Sequence, residues 1–231
     1  YRWMNRGQLN LNELIDFNRD SLASCFVFNI LSYSNDKEQL TAFVRTFYSI
    51  CNRIQTRCVC RLFEFMLEEV FHIDETTVEP GSVLIRVCCD LLEKYKVIDG
   101  MEDIIQLKPL TITQPHRTRL ELLYMYSVIL RECTTPLNPA MVDSLAQVLY
   151  SLYGNFSTKE TLQQKLMTLG SMYPLFLALH AHGEVELLLV FDKRLENTHG
   201  SDFLATYLQR YFSTEIHSLL EGKDCVPRQI K

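Results

Sequence analysis

Apolar positions recur along most of the chain at the 3.6-residue period of an α-helix. The N-terminal stretch predicts a short helix over 11–17 and a second over 21–33. Asn35, with Glu38 three residues on, has the form of a capping box. It leads the stripe Leu40, Phe43, Val44, Phe47, Ile50, Cys51 and Ile54. Cys58, Leu62, Phe65, Met66 and Val70 belong to a second helix or to a bent continuation of the first. Phe63, Leu67 and Phe71 widen that stripe enough to bury the helix on two sides. Pro80-Gly81-Ser82 predicts a break, followed by a helix carrying Val83, Leu84, Val87, Cys88, Leu91, Leu92 and Tyr95 that ends at Asp99-Gly100.

The later pattern is equally periodic. Residues 120–130 are apolar almost all round, which predicts a central helix with Leu123, Tyr126 and Leu130 in the core. Asn138 caps and Pro139 opens the next helix, closed by Gly154-Asn155. Ser157 with Glu160 predicts a further capping box, on a helix that Gly170 and Pro174 end or kink. A short helix over 175–182 then stops at Gly183. Residues 184–191 fit either period, but helices flank them and no other good strand offers a pairing, so helix is favoured. Residues 106–113, with β-branched side chains and an internal proline, predict extended chain, as one edge strand or an irregular arm. A final helix runs from Ser201 to Gly222.

This pattern gives an all-α fold of about nine or ten helices, as stacked antiparallel pairs. The arrangement is an irregular helical-repeat array of HEAT or armadillo type, or a large helical bundle. No tetratricopeptide or ankyrin signature recurs. Residues 1–231 read as one domain, with a sub-division near 97–116. A first residue Tyr1 rather than Met reads as a piece excised from a longer protein.

Composition narrows the function classes. Apolar residues are 47% and charged residues 22% of the 231 positions, enough core material to exclude an intrinsically disordered chain. A net charge of -5 argues against wrapping nucleic acid by charge alone. The eight cysteines sit mostly within apolar helical patterns, where a thiol behaves as a small hydrophobe. They read as reduced, hence a nuclear or cytoplasmic protein. The longest apolar runs, 175–179 and 187–191, fall far short of the roughly 20 residues that span a bilayer, so no membrane partner is expected.

Candidate chemistry is sparse. Cys58 and Cys60 diverge by about 200° on a helix and cannot easily share an ion. His180 and His182 have the same fault. No phosphate-binding loop, nucleophile elbow or zinc-protease motif occurs, and no cofactor is expected. Arg45, Arg53, Arg57 and Arg61 form a basic ridge on the polar side of the helical segment that carries Phe43, Phe47 and Ile54 on its other side. Lys108, His116, Arg117 and Arg119 make a second basic spot beside the arm. Glu64, Glu68, Glu69, Asp74, Glu75 and Glu79 make an acidic run without an intervening Lys or Arg. The final helix carries more apolar surface, led by Phe203, Tyr207 and Tyr211, than one packing stripe uses.

These features rank a non-catalytic α-helical scaffold first, binding another protein chain, its own or a different one, within a multisubunit intracellular complex. The candidate contact residues are Phe203, Tyr207, Tyr211, Arg45, Arg53, Arg57, Arg61, Glu64 and Glu68. A nucleic-acid-associated protein using the arginine ridge ranks second, without the interleaved aromatics that read bases directly. An all-α enzyme with scattered catalytic residues ranks third.

Overall fold

The computed structural model describes residues 11–32, 36–97, 107–111, 113–155, 161–196, 214 and 216–222. The chain is all-α: among the described residues the regular elements are helices and none is a strand. It divides into two compact units. The first is formed by Tyr1–Ile105 with Thr113–Thr135, and the second by Gln106–Ile112 with Pro136–Lys231. The chain crosses between them at 105/106 and 112/113, inside the 97–116 stretch, and again at 135/136.

The first unit holds α1 (Leu11–Ser32), α2 (Lys37–Cys51), α3 (Thr56–Val70), α4 (Val78–Tyr95) and α5 (His116–Glu132). The expected break in α1 is absent. Nothing between 17 and 21 is a helix breaker, and Ala23, Phe26, Val27 and Ile30 bury one continuous stripe. Asp36, not Asn35, caps α2, its Oδ1 accepting the Gln39 amide at 3.0 Å. Residues 52–55 separate α2 from α3, so the two are distinct helices; Ile54 falls in that turn, Ile50 is exposed, and α2 buries Leu40, Phe47 and Cys51.

Pro80 and Gly81 do not break the chain; they lie in the first turn of α4. A proline there forfeits no hydrogen bond, because the first turn's amides lack an intrahelical acceptor. The Gly81 amide still donates to the Thr77 carbonyl at 2.7 Å. Helix α4 ends at Tyr95, with Lys96 in the left-handed region at φ 50°; the expected stop at Asp99-Gly100 lies outside the described residues.

Helix α3 packs on α1 and α4, and α4 packs on α5. Phe63 and Met66 of α3, Leu91 and Leu92 of α4, and Leu123 and Tyr126 of α5 are fully buried. Phe26 of α1 stacks on Phe47 of α2 at 3.7 Å between ring centroids. Polar contacts give the direction of packing. Glu79 meets Arg117, Ser82 meets Glu121, Glu93 meets Arg131 and Lys96 meets Glu132, at separations of 36 to 39 residues. A nearly constant offset means that α4 and α5 run parallel.

The second unit holds α6 (Pro139–Asn155), α7 (Leu162–Ala181) and α8 (Val185–Glu196), with helical residues again at 216–220. Asn138 caps α6 as expected, its Oδ1 accepting the Met141 amide at 2.8 Å. The capping box of α7 is Thr161 with Gln164; the Ser157–Glu160 pair lies outside the described residues. Helix α7 passes through both Gly170 and Pro174 and absorbs the separate helix expected over 175–182. An internal proline costs about 3 kcal/mol. Full burial of Met172, Leu175, Phe176 and Leu179, at about 1.5–3 kcal/mol each, outweighs it. Gly183, at φ 78°, stops the helix as expected. Residues 184–191 are helical apart from Glu184, and α8 packs on both α6 and α7. Residues 107–111 form an irregular arm with Leu107 and Leu110 buried, and the Leu110 amide donates to Ser151 Oγ of α6 at 3.0 Å.

Candidate functional site

The turn at 52–55 divides the arginine ridge. Arg45 is exposed on α2 and Arg53 is exposed in the turn, while Arg57 and Arg61 open the outer face of α3. The same face continues into the acidic run through Glu64 and Glu68. At about 100° per residue these four side chains fall within about 60° of one another. They lie opposite the buried Cys58, Val59, Leu62, Phe63 and Met66. Two features that looked separate in sequence thus share one helix surface, basic in its N-terminal half and acidic in its C-terminal half.

Two further members of the acidic run, Asp74 and Glu79, are engaged within the first unit. Asp74 Oδ1 accepts the hydroxyl of Thr76 at 2.7 Å, the hydroxyl of Thr77 at 3.0 Å and both their amides. These hydrogen bonds, led by Thr76, hold its carboxyl below the usual range. Glu79 pairs with Arg117 at 2.5 Å. Of the second basic spot, Arg117 also pairs with Glu121 at 3.1 Å and Arg119 is buried, while Lys108 is half-buried in the arm of the second unit.

Between α4 and α5 lies an open groove of about 280 Å³, lined by Ser82, Ile85, Arg86, Cys89, Glu121 and Tyr124 among others. The Ser82 hydroxyl donates to Glu121 Oε1, and Glu121 Oε2 is buried with no hydrogen-bond partner. Burial pushes the Cys89 thiol up to about 12, reinforced by Glu93, so it stays protonated and weakly nucleophilic at neutral pH. Cys58 is fully buried, and the Cys60 thiol donates to the Val97 carbonyl at 3.3 Å. Among the described residues no three of His, Cys, Asp and Glu converge to hold a metal ion. Among them, too, no helix is long and apolar enough to cross a membrane.

No family model, curated protein or solved structure matches this chain. The local geometry therefore carries the functional reading.

Phe203, Tyr207 and Tyr211 lie outside the described residues. The second unit presents a different apolar face. Along α7, Met167, Gly170, Pro174, Leu177 and Ala181 follow one another at intervals of 3, 4, 3 and 4, the seam spacing of paired helices. Met167 is 49% and Leu177 42% exposed, and a Cβ on Gly170 would meet nothing within 4 Å. On α8, Val185, Leu189 and Val190 are also exposed. The α7 seam is missed in sequence for a simple reason. Treating Gly170 and Pro174 as helix breakers divides the stripe in two, and only a continuous helix aligns its parts.

Proposed function

We propose that the chain is a non-catalytic α-helical scaffold that binds another protein within a multisubunit complex of the nucleus or cytoplasm. The observation that carries this reading is the exposed seam of α7. An amphipathic helix normally turns its apolar stripe inward, yet α7 buries one stripe through Met172, Leu175, Phe176 and Leu179 and leaves a second in water. Apolar seams of 3-4 spacing suit a partner helix, because side chains at those intervals form the ridges and holes into which a second helix fits. Gly170 would let the partner's backbone approach closely.

The test is affinity capture of the full-length protein, wild type against Met167→Glu with Leu177→Glu. Both sites are exposed, so the helical signal should persist while the specifically captured protein is lost. Retention of the same captured protein by a folded double variant would overturn this reading of the seam.

A further inference from the structure

The charge order on α3 runs against the preference of an isolated helix. Peptide dipoles favour acidic groups near the N-terminus and basic groups near the C-terminus. Helix α3 has no acidic residue in its first turn and no basic residue in its last; Arg57 and Arg61 occupy the N-terminal half, Glu64 and Glu68 the C-terminal half. Within the helix, Arg placed before Glu is also the weaker order for pairs one turn apart.

The same order has a second property. Residue numbers 57 and 68 share the sum of 61 and 64, so the four charges are symmetric about a point between Leu62 and Phe63, with sign reversed. A twofold axis passing beside that point, perpendicular to the helix, would set a second α3 antiparallel to the first. Arg57 then faces the region of Glu68 on the other copy, and Arg61 that of Glu64. Each charge meets its opposite twice, once in each direction, as an isologous interface requires. A parallel pairing in register would oppose like charges.

We propose that the outer face of α3 is a self-association surface whose occupant is a second copy of this chain, docked antiparallel through these four residues. It lies in the first unit and does not rest on the α7 seam. The strip is about 16 Å long, much smaller than the roughly 800 Å² per partner of a stable dimer. The dimer is accordingly weak, concentration-dependent and sensitive to salt.

Sedimentation equilibrium of the 231-residue chain tests this directly. Wild type should self-associate at low salt and less so at high salt. Arg57→Glu with Arg61→Glu should weaken association at least about tenfold, as should Glu64→Arg with Glu68→Arg, because each places like charges face to face. A mixture of the two double variants should form a heterodimer, and the chain with all four reversals should dimerise again. Circular dichroism checks that each variant is folded. A wild type that stays monomeric, dimers indifferent to either double reversal, or loss that neither the mixture nor the fourfold variant restores would overturn the proposal.

Discussion

The side chain of Ile73 fills the space that a Cβ on Gly81 would need, with its Cδ1 and Cγ2 carbons 2.7 Å from that position. Ile73 is buried, 4% exposed, so it has little room to retreat. This contact explains a glycine inside the first turn of α4, where alanine would be the better helix former. Gly81→Ala gains at most about 1 kcal/mol of helix propensity. The overpacking it imposes costs about 1–3 kcal/mol. Net destabilisation is the expected outcome in urea denaturation, and Ile73→Val should recover part of it. A Gly81→Ala variant as stable as wild type would show that Ile73 moves freely.

Tyr48 of α2 donates its phenolic hydrogen to Asp90 of α4 at 2.5 Å. Burial, with the Asp90 hydrogen bond and charge adding to it, raises the tyrosine's pKa well above its usual value. Above about pH 10 the unfolded tyrosine loses its proton while the folded one keeps it. The native state then binds more protons, so stability falls as pH rises through that range. Tyr48→Phe should make the alkaline decline shallower and cost about 1–2 kcal/mol at neutral pH. Denaturation midpoints between pH 7 and 11 measure both effects.

The thiols should divide sharply by reactivity. Burial pushes Cys51 up to about 12 and Cys88 well above its ordinary value, whereas Cys25 is exposed. Brief alkylation of the native protein at pH 8 should modify Cys25 and spare Cys51, Cys88 and Cys89. Denaturant should open all of them. Peptide mapping by mass spectrometry reads the pattern, and rapid native labelling of Cys88 would contradict the packing of α4.

Leu130 has no exposed surface in α5, nor do Leu123 and Tyr126. Leu130→Ala should therefore cost about 2–5 kcal/mol by loss of burial and creation of a cavity. An unchanged melting temperature would place α5 at the periphery.

The amino-acid pattern alone determined the all-α class, the α3 and α5 stripes, the Asn138-Pro139 start and the Gly183 stop. These follow from side-chain period and local backbone chemistry, which act over a few residues. Other features depended on contacts between segments far apart in sequence. Pro80 and Gly81 look like a break until Ile73 gives the glycine a packing role. Gly170 and Pro174 look like a helix end until the burial of Met172, Leu175, Phe176 and Leu179 offsets the proline. The parallel course of α4 and α5 shows only in pairs such as Glu79 with Arg117 and Glu93 with Arg131. The helical period by itself sets Arg57, Arg61, Glu64 and Glu68 on one side of α3. That this side faces outward required neighbouring helices to bury the opposite one, because local propensity forms a helix but only packing decides which face meets water.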